Sequence, residues 1–159
     1  MDQHEQPYER TETESERLDR NWTEILQELR VTQTGTQILT GFLLTLAFQP
    51  RFADLDAFQV TVYLILVGGA VIATTLALAP VSMHRALFRQ RAKKQIVSYA
   101  NIFLKISLVM VALILTGTML LIFDVVLGHT AGIVAALVTL VLTAIAWLVL
   151  PLVTRPDRD

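Results

Sequence analysis

Four stretches free of charged side chains, 31–50, 57–83, 106–123 and 131–154, take up most of a chain of 159 residues. A helix needs roughly 20 mainly apolar residues to cross the hydrocarbon core, and each stretch meets or nearly meets that length. Lipid offers a bare backbone no hydrogen bonds, so only helices or a closed barrel can span it. The apolar runs are continuous rather than alternating, which selects helices. The sequence therefore predicts an all-α, polytopic membrane protein with four transmembrane helices at about 31–49, 57–79, 100–124 and 131–153.

Composition agrees with this reading and removes several chemistries. Hydrophobic residues make up 53% of the chain, and the mean hydropathy is +0.54. The chain has no Cys, so disulfides, thiol nucleophiles and thiolate metal sites are all excluded. Its three histidines, His4, His84 and His129, lie far apart in sequence, and there is no glycine-rich phosphate loop. No enzyme activity, metal or cofactor is expected. No cleaved leader is expected either, because the first apolar run follows thirty polar residues rather than a short basic segment.

Charge is distributed unevenly. The net charge is −1. Residues 1–30 carry nine acids and four Arg, a sum of −5, and the remainder sums to +4. Counting Lys and Arg between the runs gives four before the first, six over 81–105 and two after the last, against Arg51 alone between the first and second. Basic residues stay on the cytoplasmic side of a membrane, so both termini and the middle loop are expected there, in a bacterial inner (plasma) membrane.

Residues 1–13 lack an apolar period and read as a disordered tail, as do 155–159. Thr11 with Glu14, or Thr13 with Glu16, fits a capping box at the start of a helix. Leu18, Trp22, Ile25, Leu26 and Leu29 share one face, with Glu16 and Arg20 on the solvated side. Residues 14–30 are thus expected to form an acidic amphipathic helix at the membrane surface that leads into a transmembrane domain over 31–154.

The first run is polar in its opening half. Thr34, Gln37, Gly41 and Thr45 fall on one stripe, with Gln33 a turn before Gln37. Amides and hydroxyls are costly in lipid, so the stripe is expected to face the other helices or a wet cavity. In the second run Gly69, Ala73 and Ala77 form a small-residue ridge, and Pro80 marks an end or kink. Lys105 and Asp124 frame the core of the third, about 28 Å apart along a helix axis, and read as charges at its two edges. His129 stands within reach of Asp124. Thr139, Thr143 and Trp147 share a face of the fourth.

Two candidate sites emerge. The segment 80–94 holds Arg85, Arg89, Arg91, Lys93 and Lys94 without an acid. Such a cluster attracts anionic lipid headgroups by about 1 kcal/mol per basic residue. The second is a polar cluster at the cytoplasmic ends of the first two helices, made of Glu28, Arg30, Gln33, Gln37, His84 and Arg85. The expected role is that of a non-catalytic accessory or scaffold protein whose cytoplasmic face meets anionic lipid or a protein partner, with homo-oligomers in view and nucleic acid excluded. The alternative is a cation or proton transporter. Ion carriers place an ionisable group deep in the bilayer, and here the first run has Gln33 and Gln37 in that position.

Two blocks carry a family resemblance. Glu28-Leu29-Arg30-Val31, Gln33-Thr34-Gly35, Gln37-Ile38-Leu39 and Gly41-Phe42 form the first. Ala79-Pro80-Val81, His84-Arg85 and Leu87-Phe88-Arg89 form the second. Together they resemble an actinobacterial family of uncharacterised small four-helix membrane proteins, some of whose members carry a sodium/proton antiporter label. The resemblance covers nearly all the chain beyond Glu14 and implies a membrane location.

Overall fold

The computed structural model describes residues 13–87 and 93–154, and among them there are helices and no strands. Of the tails expected at 1–13 and 155–159, residues 1–12 and 155–159 lie outside the described residues, as does the centre of the basic loop, 88–92, whereas Thr13 caps a helix.

Helix α1 runs without a break over Glu14–Leu46, about 50 Å at 1.5 Å per residue. Of the two possible capping boxes, Thr13 with Glu16 is formed, and Thr11 of the other lies outside the described residues. The Thr13 hydroxyl accepts from the Glu16 amide at 3.3 Å, and the Thr13 amide donates to the Glu16 carboxylate at 2.9 Å. Arg20 lies 3.9 Å from Glu24, one turn on. The Thr13 amide and hydroxyl hold the Glu16 carboxyl below its ordinary value of 4.5. A carboxyl depressed in the folded state stabilises above its unfolded pKa, and that contribution is lost as pH falls through the lower folded value. The first turn of α1 should therefore fray selectively below about pH 4.5. Amide exchange at residues 14–17 would accelerate there in the wild type, and Glu16→Gln would remove most of that pH dependence.

A short 3-10 helix, Pro50–Asp54, makes the first connection. Helix α2 then spans Ala57–Leu87 and α3 spans Lys93–Leu127. Pro80 does not end α2, which continues two turns beyond it with the ring itself buried. Helix α4, His129–Ala144, passes through a π-turn at Ile145–Val149 into α5, Leu150–Val153. The π-turn has a local cause. Pro151 offers no N–H to the Trp147 carbonyl and would crowd it, so the helix widens one step earlier and Leu150 donates to Ile145. Gly128 joins α3 to α4 at φ 95° and ψ 171°, a backbone region essentially reserved for glycine.

Three segments are long and apolar enough to cross a membrane: Ala57–Met83, Ser98–Leu127 and His129–Val153. Helix α3 is the centre of the bundle, touching α1, α2 and α4. Its inward stripe is Ala100, Leu104, Ser107, Ile114, Thr118, Leu121 and Asp124, spaced by three, four or seven as one helical face requires. The main core joins Leu43 of α1, Tyr63, Leu66, Ala70 and Ala73 of α2, and Ile114 and Leu121 of α3. A smaller cluster of Leu29, Ala77 and Leu104 closes the other end. The expected small-residue ridge is thus partly core: Ala73 and Ala77 are buried, while Gly69 approaches Ile114 and Met110. Helix α4 lies mainly on α3 and buries only Gly132, leaving Leu137, Val141 and Leu142 among many exposed apolar side chains. Thr139 and Thr143 are half-buried, but Trp147, expected on the same packing face, is 42% exposed.

The polar stripe of α1 corrects an expectation. Thr34, Gln37, Gly41 and Thr45 face away from the bundle, and the inward face is Leu29, Thr36 and Leu43. Seven-residue spacing keeps those three on one face, with Gln37 about 100° around the helix from Thr36 at its centre. The threonine hydroxyls are satisfied within the helix: Thr34 donates to the Arg30 carbonyl, Thr36 to Thr32 and Thr45 to Gly41. A threonine therefore need not turn inward to find a partner.

Candidate functional site

The best-formed polar constellation lies where α2 begins and α3 meets α4. It starts with a reciprocal cap. The Gln59 amide N–H donates to Asp56 Oδ1 at 2.8 Å, and the Asp56 amide donates to Gln59 Oε1 at 3.1 Å. This fixes the Gln59 side chain with its oxygen engaged, so its NH₂ must point elsewhere. It donates to Asp124 Oδ1 at 2.7 Å, across 65 residues of sequence.

The other carboxylate oxygen of Asp124 meets His129 Nδ1 at 2.7 Å. Exposure differs sharply within this pair: 4% for the Asp124 side chain and 62% for His129. The His129 ring also packs edge-on to Phe58, with centroids 5.0 Å apart. Gly132, one turn beyond His129, lets α4 lie directly on the α3 backbone. A Cβ there would sit 2.8 Å from the Leu120 carbonyl oxygen and 2.9 Å from Asp124 Cβ.

Electrostatics explain why donors gather here. A carboxylate in the last turn of α3 faces unpaired backbone carbonyls, an unfavourable end of that helix. Gln59 and His129 offset this, and α4 opens beside it with its own free amides. The group can accept two hydrogen bonds while shielded from water, and through His129 it can exchange a proton with the surface. Among the described residues no group of three or more His, Asp or Glu gathers as a metal site.

The other sequence-derived candidates are less gathered. Glu28, Arg30 and Gln37 are exposed and Gln33 is half-buried. Arg85 is exposed, and the His84 side chain lies outside the described residues. No hydrogen bond or ion pair joins Arg85 to Glu28, Arg30, Gln33 or Gln37. Register explains this. Leu29 and Ala77 share a cluster in antiparallel helices, so Arg85, eight residues past Ala77, stands about two turns beyond Glu28. Of the basic cluster, Arg85 closes α2 while Lys93 and Lys94 open α3. Arg89 and Arg91 fall in the undescribed segment. Of the two span-edge charges, Lys105 is exposed as expected for an edge, whereas Asp124 is enclosed by three helices.

Sequence reasoning paired Asp124 with His129 but missed Gln59 and Gly132. Gln59 carries a local signal: Asp56-x-x-Gln59 is the spacing of a helix-start cap, and a capping glutamine has a second hand free. Gly132 stands in a run of small residues that gives no such indication.

Residues 11–151, most of the chain and all four long helices, match DUF6328, a family of unknown function. The chain belongs to the DUF6328 family. Comparison with curated proteins and with solved structures gives no match. The DUF6328 match takes in the whole Asp56–Gln59–Asp124–His129 network as well as both ends of α1, so these features lie inside the family's domain rather than in an appended segment.

Proposed function

We propose that this protein crosses a bacterial plasma membrane four times, with the second half of α1 as the first crossing and both termini and the α2–α3 junction cytoplasmic. There it serves as a non-catalytic accessory or scaffold protein. The orientation rests on twelve Lys and Arg at one end of the bundle against Arg51 at the other. The basic sequence from Arg85 through Arg89, Arg91 and Lys93 to Lys94 supplies the charge that would draw anionic headgroups or an acidic partner to that face.

The observation that carries the accessory reading is the outward stripe of α1. Gln37 has no hydrogen-bond partner among the described residues, and a Cβ built on Gly35 or Gly41 meets nothing within 4 Å. A free amide facing hydrocarbon costs free energy unless another helix supplies its partner. Gly41, one turn on along the same face, lets a second backbone come close. The stripe is therefore a seam for a neighbouring membrane helix, from a second copy or another protein.

The absence of Cys makes the test clean. Single cysteines at Gln37 or Gly41 should cross-link in native membranes, and cysteines at the inward positions Thr36 and Leu43 should not. Gln37→Leu should abolish the larger species on native gels. Equal cross-linking at all four positions, or none at any, would refute the seam. Topology is checked by tags at residue 3, at 90 and after 159, which should report the cytoplasm, and at 54, which should report the outside.

A second reading is favoured by Asp124. It is a shielded carboxylate reached through an exposed histidine, placed in the last turn of α3 at the edge of a span rather than deep in it. Proteoliposomes under a pH gradient should then show ion flux that Asp124→Asn abolishes. Wild-type vesicles no leakier than protein-free ones would remove this reading.

A further inference from the structure

At the outer end of the bundle α1 and α3 run parallel and leave a groove of about 280 Å³. Its walls are Phe42 and Leu46 of α1 and Leu121 and Val125 of α3, with Tyr63 of α2 as its floor. The 3-10 helix roofs it, with Phe52 packed edge-on against Tyr63 at 4.9 Å between ring centroids. Exposed Phe42 and Val126 mark the open side. The lining is almost wholly apolar, and its polar members, Gln49 and Arg51, are exposed at the rim.

Charge decides the occupant. Arg51 is the single basic residue at this end of the protein. Arg51 and Asp54 are three residues apart in a 3-10 helix, where side chains at that spacing eclipse and share a face. Yet the two form no ion pair with each other, and neither has a partner among the described residues. A guanidinium at the rim of the apolar slot is thus followed, one turn on in the 3-10 helix that roofs it, by a carboxylate, and neither is paired within the described residues.

We infer that this groove binds one phospholipid whose headgroup carries both a phosphate and a free ammonium. One acyl chain lies between α1 and α3. The phosphate accepts from the Arg51 guanidinium, a planar fork suited to paired oxygens. The ammonium meets the Asp54 carboxylate, and the Gln49 amide supplies a further donor to the headgroup. The chain fills space that would otherwise lack contacts, but hydrocarbon is available everywhere in a bilayer, so the headgroup pair supplies the selectivity. The site depends only on a membrane location, not on the accessory or transport role.

The test uses the full chain, delipidated in detergent and offered equal amounts of phosphatidylethanolamine and phosphatidylglycerol with the same acyl chains. Native mass spectrometry counts the lipid retained. The wild type should hold phosphatidylethanolamine over phosphatidylglycerol by about fivefold, the factor that one well-placed charge contributes at a membrane surface. Arg51→Gln should lower retention of both lipids. Asp54→Asn should bring the two to equality while leaving total retention near that of the wild type. Val126→Trp, at an exposed position on the open side, should block the chain and remove both. Equal retention of the two lipids by the wild type would overturn the assignment, as would no retention, or retention unchanged by Arg51→Gln or by Val126→Trp.

Discussion

Asp124→Ala should lower the unfolding free energy in detergent micelles by about 2 kcal/mol, because a shielded charged acceptor lost from two hydrogen bonds leaves its donors unpaired. The loss has two parts. The Gln59 NH₂, fixed by its bond to the Asp56 amide, cannot swing away to a new acceptor. His129 is largely exposed and can turn to water, so it contributes less. Asp124→Asn keeps an acceptor oxygen and should cost about half as much. The ordering is the sharper test. Gln59→Ala and Asp124→Ala should be strongly non-additive in a double-mutant cycle, and His129→Ala and Asp124→Ala only weakly so. Equal coupling in the two cycles would show that Gln59 is not the principal partner.

Gly132→Val should be the most damaging single change in α4, at about 3 kcal/mol, the upper part of the overpacking range. The atoms in the way are a backbone carbonyl and the Cβ of Asp124, neither of which can rotate aside. Helix α4 must lift off α3, and the His129 contact to Asp124 goes with it. Gly68→Ala is the control. Its Cβ would meet nothing within 4 Å, so it should be neutral to slightly stabilising. Reduced near-ultraviolet dichroism or faster proteolysis of α4 in Gly132→Val, beside an unchanged Gly68→Ala, is the expected result. If the two variants melted together, α4 would not be seated through Gly132.

How far the sequence spoke depended on the kind of force involved. Long charge-free runs are a bulk property, and they located three membrane-length helices and the all-helical fold. The Thr13–Glu16 cap was legible because capping acts over three residues. The facing of α1 was not legible. A stripe of Thr, Gly and Gln invites an inward reading, but Leu29, Thr36 and Leu43 turn inward instead. Threonine hydroxyls bond their own helix, so the stripe demands little from the rest of the chain. The cluster around Glu28 and Arg85 missed for a similar reason: loop lengths say that two helices are antiparallel but leave their register open by a turn or two. The Gln59–Asp124 bond spans 65 residues and depends on that register, so it emerges only with the fold.

Among the described residues, the side-chain hydrogen bonds that join α2, α3 and α4 sit together at one end of these helices. Toward the opposite end, among the described residues, the buried cluster is Leu29, Ala77 and Leu104. The polar knot and the basic residues are held apart by helices of more than thirty residues. From Gln59 to Arg85 the rise along α2 is about 39 Å. Salt screens exposed charges over about 10 Å. A change of charge at Asp124 therefore goes unfelt at Arg85, and each end of the protein answers to its own side of the membrane.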